Sequence, residues 1–410
     1  KPSRKVKMAP SKIVITLKIT AIGPADTLHF DEAFLVIDGR EQYLIPGLAD
    51  MHVHFAGNAL AMKLFIANGV TSVRNLNGDA TILEWQSQAE AGEILAPNIY
   101  STGPILDSPS NRHSDIALTT PNEARRQVLE QYNDGFKMIK PYTGLPEEVY
   151  LAAIETAKEQ GMYVVGHIPY SIGLDGVLAA GQDEIAHVHS FHQDFFMDFD
   201  PNETFREYEI DFSKTSLISK KVHDAGVRVT TTLIVNQALA DSQNLDSFLA
   251  RSMQNYEFSW ARYYMQTPSW RFNKLWPRHY LEETYLPWIY QLLKNLHSEG
   301  VTLVLGTDSG VTGLVHGFST HEELSLLVKA GLTPYEALLT ATVNAANAVS
   351  REHVWGTIEV GKVADLVLLK ENPLDDIGHS SSIAGVAKSG RWFGVEELSR
   401  FREQVRSAVH

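Results

Sequence analysis

The sequence predicts an α/β protein: a (β/α)8 barrel of the TIM type with a small β domain built from both chain termini. Short strand-like runs alternate with helical patterns, which is typical of βαβ units and a parallel sheet. Eight such runs are present, the number that closes a barrel whose active site lies at the C-terminal strand ends. At both chain ends the pattern changes to alternating apolar and polar residues, which indicates antiparallel strands.

The eight predicted barrel strands are short, rich in β-branched residues, and mostly end in a polar side chain. They are residues 48–54, 70–76, 98–104, 136–140, 162–167, 184–189, 227–235 and 301–308. Helical patterns separate most of them. Residues 146–161, for example, begin with acidic residues and end at Gly161, which are helix start and stop signals.

The two chain ends are predicted to form one domain together. Residues 12–45 and 356–394 both alternate apolar and polar residues and carry Gly and Pro turns. Pairing them is the simplest way to complete an antiparallel sheet beside the barrel. We therefore assign 1–45 and 355–396 to a discontinuous β domain, 46–354 to the barrel, and 397–410 to a C-terminal helix or tail.

One connection is far longer than a βα unit requires. Residues 236–299, between the seventh and eighth predicted strands, are rich in Tyr, Trp and Phe. Two interpretations stay open: an additional helical layer that covers the barrel, or a lid whose aromatic side chains form the substrate pocket.

Composition excludes several classes of function. The chain has 410 residues, a formal net charge of −14 and no cysteine. The charge argues against nucleic-acid binding, and the missing thiols exclude disulfides, thiolate metal sites and cysteine nucleophiles. No apolar run is long enough for a membrane span and no signal peptide is evident. A soluble protein is expected, either cytoplasmic or exported with its signal removed.

Potential metal ligands recur at the predicted strand ends. The first strand presents His52 and His54, which lie on one face because side chains two apart in a strand point the same way. One HxH pair is weak evidence, since a second pair exists at positions 187 and 189. Further polar side chains end other strands: Lys140, His167, His187 or His189, and Asp308. The set together predicts a metal site at the rim where barrel enzymes keep their chemistry.

The types of candidate ligand limit which metal ion can be expected. Imidazole and carboxylate ligands suit Zn²⁺, Mn²⁺ or Fe²⁺ better than Mg²⁺ or Ca²⁺, and Zn²⁺ is the default. Lys140 is unexpected because an ammonium repels metal ions. Carbamylation by CO₂ would turn it into a carboxylate able to bridge two ions. The alternative is an ion pair with Asp308, and Lys137, nearer the start of the same strand, is a weaker candidate for the same role.

The ordered motifs PGLADMHVH, FKMIK, VVGH, DEIAH and GTDSG resemble the metal-dependent amidohydrolase superfamily. The run from HEELSLLVKAGL to ADLVLLKENPLDDI is similar to the closing helices and β-sandwich strands of that family. The resemblance covers about residues 20–190 and 300–392. It is nearest the binuclear branch with a carboxylated lysine, the prolidase-like Xaa-Pro dipeptidases.

The resemblance implies two divalent metal ions and a role for each ligand. One metal would be held by His52, His54 and Asp308, and the other by His167 and His187, with carbamylated Lys140 bridging both. The family motif that resembles DEIAH selects His187 over His189. His189 and His321 would then lie around the ligands rather than bind the metals.

The resemblance also implies hydrolysis of an amide or peptide bond. A hydroxide shared by the two metals would attack the carbonyl, with Asp308 as general base and then acid. A dipeptide or an N-acyl amino acid is the expected substrate, and a homo-oligomer is compatible with the sequence. The alternatives are a mononuclear deaminase or cyclic-amide hydrolase of the same superfamily and, more remotely, a non-catalytic barrel scaffold.

Candidates for binding the substrate are polar or aromatic residues near the predicted rim. They are Arg74, Tyr142, Tyr170, Arg278 and His316. Each could contact a substrate carboxylate or ring, and each is equally compatible with an ordinary structural role. The aromatic insertion favours a bulky apolar or aromatic acyl or amino-acid group.

Overall fold

The computed structural model describes residues 11–24, 28, 35–55, 57–109, 116–203, 206–267, 276–311 and 313–410. Strands in these residues are β1 (Ser11–Ile15), β2 (Ile19–Pro24), β3 (Tyr43–Pro46), β4 (Leu48–Val53), β5 (Val70–Asn75), β6 (Asn98–Ser101), β7 (Leu106–Asp107), β8 (Ile116–Ala117), β9 (Met138–Ile139), β10 (Tyr163–Gly166), β11 (Glu184–Ile185), β12 (Arg228–Thr230), β13 (Leu303–Val304), β14 (Leu366–Leu369), β15 (Ile383–Lys388) and β16 (Arg391–Gly394).

Helices connect most of these strands. They are α1 (Leu60–Ala67), α2 (Ala80–Glu90), α3 (Pro121–Asp134), α4 (Glu147–Glu159), α5 (Gly173–Ala180), α6 (His192–Phe195), α7 (Thr215–Asp224), α8 (Leu233–Asp241), α9 (Leu245–Leu249), α10 (Ser259–Met265), α11 (Arg278–Tyr280), α12 (Leu286–Ser298), α13 (Phe318–Lys329), α14 (Pro334–Thr340), α15 (Val343–Ala348) and α16 (Val395–Val409). Short 3₁₀ turns cover Val188–Phe191, Phe212–Lys214, Ser252–Tyr256 and Ile377–Ser381, and a π-helix covers Leu281–Tyr285.

Eight parallel strands form the centre of the molecule. One sheet has the order β4-β5-β6 and the other β13-β12-β11-β10-β9. Backbone hydrogen bonds also join the two sheets at both edges: Met51 N donates to Leu305 O at 2.9 Å, and Gly103 N donates to Met138 O at 3.1 Å. The chain is therefore an α/β fold with parallel strands and intervening helices.

Several predicted strands are shorter in the structure. The sixth was predicted over 184–189 but ends at Ile185, and His189 lies in a 3₁₀ turn. The seventh was predicted over 227–235, whereas β12 ends at Thr230 and α8 begins at Leu233. The seventh prediction was too long because the β-branched run after β12, residues 231–235, satisfies the same composition rule while adopting turn and helix geometry.

Segments from both ends of the chain share one antiparallel sheet. Its order is β16-β15-β14-β3, and β3 pairs with β14 so that Pro46 lies opposite Leu366. The β1-β2 hairpin is joined to the same region through a hydrogen bond from Ile19 N to Lys362 O at 2.8 Å. Residues 25–27 and 29–34 of the predicted N-terminal strands lie outside the described residues. The last helix, α16, packs against α1.

The long connection before β13 is helical where it is described. It contains α8 to α12, while residues 268–275 lie outside the described part. Trp276, Tyr285 and Trp288 are buried and pack around Phe196, with ring centroids 5.3–6.3 Å from it. No helix in the described residues is both long and apolar enough to span a membrane.

Candidate metal centre

All six predicted ligands lie at or just beyond the C-terminal ends of parallel strands. His52 is the penultimate residue of β4, and His54 follows its end. The others follow β9, β10, β11 and β13 and are, respectively, Lys140, His167, His187 and Asp308. Because C-terminal ends of parallel strands share one edge, the fold brings these side chains together.

Their polar atoms converge on a small volume. The Nε2 atoms of His52 and His54 lie 3.3 and 3.1 Å from the same oxygen, Oδ1 of Asp308. Lys140 Nζ lies 3.2 Å from His52 Nε2, and the His52 and His187 rings are 4.3 Å apart between centroids. The ligand atoms of His52, His187 and Asp308 lie within 4.8 Å of one another, which is close enough to hold one ion.

Two threonines orient the remaining imidazoles, and the sequence did not single them out. Thr143 Oγ1 lies 2.8 Å from His167 Nδ1, and Thr232 Oγ1 lies 2.9 Å from His187 Nδ1. Such contacts fix the ring so that Nε2 is available to a metal. The only signal was a polar residue shortly after a strand end, which is too common to assign.

Two imidazole nitrogens of the site have no hydrogen-bond partner among the described residues. One is His52 Nδ1, which is buried. The other is His167 Nε2, which is also buried, while the other nitrogen of its ring contacts Thr143. A buried polar atom without a partner is uncommon and costly. A metal ion would satisfy His167 Nε2, so the residues present fit a metal site.

Burial favours the neutral form of the imidazoles of His52, His167 and His187. Desolvation lowers the pKa of His52, His167 and His187 well below the usual value, and the nearby charge of Lys140 lowers the pKa of each further. The neutral imidazole is the form that binds a metal.

The pKa values of Lys140 and Asp308 both depart from their usual values. Burial lowers the pKa of Lys140 to about 7, which favours the uncharged amine, although Asp308 opposes the shift. Burial alone would raise the pKa of Asp308, but the hydrogen bond from His54 and the charge of His187 outweigh it and lower the pKa. Lys140 and Asp308 make no ion pair with each other.

The backbone is strained at three positions in this site. His187, Asp308 and Thr232 have φ values of 72°, 61° and 44°. Residues with a Cβ rarely adopt positive φ, and such strain clusters at functional sites. Neither periodicity nor composition could reveal these conformations.

Two buried carboxyl groups, those of Asp50 and Glu323, accept hydrogen bonds from residues next to the strained positions. Asp50 accepts hydrogen bonds from Thr307 N at 3.0 Å and from Thr307 Oγ1 at 2.6 Å. Glu323 accepts from Thr231 Oγ1 and from the backbone N–H of Leu233 at 2.9 Å. Burial raises the pKa of each acid to about 7. Both acids thus hold the segments that carry the ligands and were missed by the sequence analysis.

Arg74, predicted to bind substrate, is engaged in a buried ion pair. Its guanidinium donates two hydrogen bonds to Glu184, one of them at 2.9 Å to Oε2, and its Nε donates to Met51 O at 2.8 Å. Both side chains of the pair are fully buried. The structure therefore places Arg74 in the interior of the strands, where it supports β4 rather than a ligand.

The two tyrosine candidates lie at different distances from the ligands. The Tyr142 ring lies 3.9 Å from the His167 ring between centroids, in direct contact with the site. Tyr170 packs against Phe199 with centroids 5.3 Å apart, and burial raises the pKa of its hydroxyl to about 12. Tyr142 thus keeps its candidacy on geometry, whereas Tyr170 belongs to the surrounding aromatic cluster.

The remaining candidates also separate. His316 Nε2 lies 3.0 Å from the backbone oxygen of His54, beside the ligands. His321 has both ring nitrogens engaged elsewhere, with Ser380 Oγ at 2.9 Å and Asn68 O at 3.0 Å. Arg278 is 57% exposed and pairs with Glu282, one helical turn away on the protein surface.

His189 connects the ligands to the aromatic insertion. Its ring stacks on His187 with centroids 4.6 Å apart, and its Nδ1 lies 3.4 Å from Asn236 Nδ2. Tyr285 OH donates to Asn236 Oδ1 at 3.1 Å and lies 2.7 Å from His192 Nε2. Tyr285 ends the π-helix, a distortion often found at functional sites.

The whole arrangement is suited to metal-assisted hydrolysis. Four imidazoles and one carboxylate lie near a buried amine at one edge of the strands. In metal-assisted hydrolysis a metal-bound water is the nucleophile, so no side-chain nucleophile is needed. Imidazole and carboxylate ligands fit a transition metal or zinc.

The family model described as the amidohydrolase family matches residues 43–393. An Aspergillus niger protein named ochratoxinase is 25% identical over 439 aligned positions, which cover 90% of this chain and 79% of the relative.

Two solved structures are similar along nearly the whole chain. Bottromycin amidohydrolase has a TM-score of 0.75 and 22% identity, and the match covers 98% of this chain and 86% of that one. A Xaa-Pro dipeptidase with methionine bound in its active site has a TM-score of 0.70 and 21% identity, with 94% and 95% covered.

Proposed function

We propose, from the premise that this chain belongs to the amidohydrolase family, that it hydrolyses the amide bond of a dipeptide or an N-acyl amino acid with two divalent metal ions. The chain is a hydrolase that acts on C–N bonds, as the family and its relatives indicate. The proposal adds the substrate class, the number of metals and the role of each residue.

The observation that carries the proposal is the convergence of six side chains at one edge of the parallel strands, together with a buried imidazole nitrogen that has no partner among the described residues. His167 Nε2 is buried without a protein partner, while the ligand atoms of His52, His187 and Asp308 lie within 4.8 Å of one another. We assign His52, His54 and Asp308 to one ion and His167 and His187 to the other. Zn²⁺ is the proposed metal.

Metal ions bound there would supply Lewis-acid polarisation of the scissile carbonyl and a lowered pKa for a coordinated water. Asp308 is the proposed proton carrier, first from the attacking water and then to the leaving nitrogen. Its carboxylate is suited to that role because it lies among the ligands and makes no ion pair with Lys140.

Lys140 is proposed to carry a carbamate. Its Nζ is buried and lies 3.2 Å from a neutral imidazole, His52, instead of pairing with an acid. A carbamate at this position would provide two oxygens in place of an ammonium that repels the metals.

The remaining features of the fold are proposed on the same basis. The eight parallel strands would form a closed (β/α)8 barrel over about residues 46–354, and residues 1–45 with 355–396 a β-sandwich domain. Hydrogen bonds between the two parallel sheets at both edges support closure.

The test measures metal and carbamate in the purified protein before activity. We expect about two Zn²⁺ per chain by mass spectrometry and a carbamate signal by ¹³C NMR after growth with labelled bicarbonate. Lys140→Ala should lose both the carbamate signal and metal, and Asp308→Asn should lower kcat by roughly 10²–10⁴-fold. Lys137→Ala, an exposed lysine three residues earlier, is the matched control and should behave as wild type.

One metal per chain would favour the mononuclear deaminase or cyclic-amide hydrolase instead. A Lys140→Ala protein with full metal content and activity would contradict the carbamate. A metal-free, inactive wild-type protein would leave only the non-catalytic scaffold.

A further inference from the structure

We propose that a cavity beside His54 binds an uncharged, bulky apolar side chain of the substrate, and that helices α10 and α16 thereby determine specificity. The inference rests on the proposed amide hydrolase function and deepens it. The cavity has a volume of about 310 Å³. A single buried water needs only about 10–15 Å³ of such space, so the cavity has room for a multi-atom group.

The cavity walls come from four separate parts of the chain. They are the segment after β4 with α1, the segment from Tyr256 to α10, the segment after β13, and the last helix α16. Apolar side chains from all four parts line the cavity, among them Ala61, Trp260, Ala261, Leu314 and Val409, and the test below substitutes Ala261 and Val409. The aromatic insertion and the last helix therefore meet over one space.

The contact between those two elements is specific. Ser259 Oγ donates to the backbone oxygen of Val409 at 2.6 Å, and His410 Nε2 lies 3.0 Å from Asn255 O. The first bond satisfies a carbonyl at a helix end that has no partner within the helix. Because the walls are joined by hydrogen bonds, the cavity is built into the fold.

The cavity lies next to the candidate metal ligands. His54 lines it and also places Nε2 3.1 Å from Asp308 Oδ1. His316 lines it as well and lies 3.0 Å from the backbone oxygen of His54. A substituent in the cavity would therefore belong to a substrate whose amide bond lies at the ligand cluster.

The lining selects an uncharged group. Most lining residues are apolar or aromatic, and among the described residues that line it none is a lysine or an arginine. Glu257, also in the lining, accepts a hydrogen bond from Gly313 N at 3.1 Å. An anionic substituent would meet this acid and no cation, so the cavity should reject it.

The experiment uses substrates that share one amide bond and differ in one side chain: alanine, leucine, phenylalanine or glutamate, varied on each side of the bond. We expect wild-type kcat/KM to be at least about tenfold higher for phenylalanine than for alanine on one side of the bond. Glutamate should be the poorest substrate on that side.

Ala261→Leu fills the cavity from α10, where Ala261 is 1% exposed. It should lower kcat/KM for the phenylalanine substrate at least about tenfold and leave the alanine substrate within about twofold. Ala408→Leu places the same bulk on an exposed position of α16 and is the matched control. Val409→Phe should reproduce the effect of Ala261→Leu from the opposite wall.

Metal content and melting temperature are measured for every variant, so that a misfolded protein is recognised. If Ala261→Leu and Val409→Phe keep wild-type metal and stability but change both substrates by the same factor, the cavity does not bind the side chain. Equal wild-type rates for alanine and phenylalanine substrates would also overturn the inference. If no amide is hydrolysed at all, the proposed function fails instead.

Discussion

Replacement of Arg74 by Met tests whether this residue is structural or binds substrate. The change leaves Glu184 buried without its cation. Two hydrogen bonds from the guanidinium are lost and two remain, from Tyr163 OH at 2.9 Å and from Thr230 Oγ1. Breaking a buried ion pair on one side costs about 3–5 kcal/mol. The loss of the bond from Nε to Met51 O adds to this cost.

The assay is urea unfolding followed by both circular dichroism and tryptophan fluorescence, and the free energy is taken where the two transitions coincide. Arg74→Met and Glu184→Leu should each lose about 3–5 kcal/mol, and the double variant should be more stable than their sum predicts. Lys158→Met is the control, because its pair with Asp183 is partly exposed and should be worth less than about 1 kcal/mol.

The stability that Arg74→Met loses relative to the wild type should increase with pH. In the wild type, burial raises the pKa of Glu184, but Arg74 together with the hydrogen bonds from Thr230 and Tyr163 outweighs burial, so the pKa is lowered and its stabilisation is lost as pH falls. Without Arg74, burial is opposed only by the hydrogen bonds from Tyr163 and Thr230, so we expect the pKa of Glu184 to rise and the variant to lose stability as pH rises. Both effects make the deficit larger at about pH 8 than at about pH 5. A variant of wild-type stability whose KM rises only for carboxylate-bearing substrates would refute the structural role.

Three further predictions concern the site and its surroundings. Thr232→Val removes the hydroxyl that orients His187 and should weaken metal affinity about 10–100-fold in a chelator competition; unchanged affinity would show that the contact is incidental. Tyr285→Phe leaves two buried partners of its hydroxyl unsatisfied and should cost about 1–3 kcal/mol in urea unfolding; a stabilised variant would contradict the bonds. Arg278→Ala breaks only an exposed ion pair with Glu282. The free energy of unfolding in urea should change by less than about 0.5 kcal/mol, and kcat/KM should stay the same.

The convergence of the proposed ligands could be predicted because it depends on local pattern and one general rule. His52 lies near the end of a recognisable strand, whereas Lys140, His167 and Asp308 each follow one, and parallel strands place their C-terminal ends at a common edge. The pairing of both chain ends in one sheet followed from the same reasoning about alternation. Errors in the lengths of the strands did not matter, since only their order and ends fix the site.

The contacts that hold the proposed ligands could not be predicted in this way. Arg74 was a substrate candidate because its partner, Glu184, is 110 residues away and nothing in a single sequence pairs them. Thr143 and Thr232 orient imidazoles only through three-dimensional placement. His189 was expected on the strand face of His187, but the 3₁₀ turn stacks the two rings instead.

The strained backbone at the ligand positions gives a reason for two acids that take no direct part in the site. Positive φ at a residue such as Asp308 costs about 1–3 kcal/mol and persists only where neighbouring contacts impose it. Asp50 binds the N–H and the hydroxyl of Thr307, the residue immediately before Asp308. Glu323 accepts hydrogen bonds on both sides of the strained residue Thr232: from the hydroxyl of Thr231 before it, and from the backbone N–H groups of residues 233 and 234 after it. A hydrogen bond to a carboxylate contributes about 1.5–3 kcal/mol, so two or three of them offset the strain of one residue. The geometry of the proposed ligands is therefore supported by the hydrogen bonds of Asp50 and Glu323, and loss of either acid should disorder these side chains before it unfolds the chain.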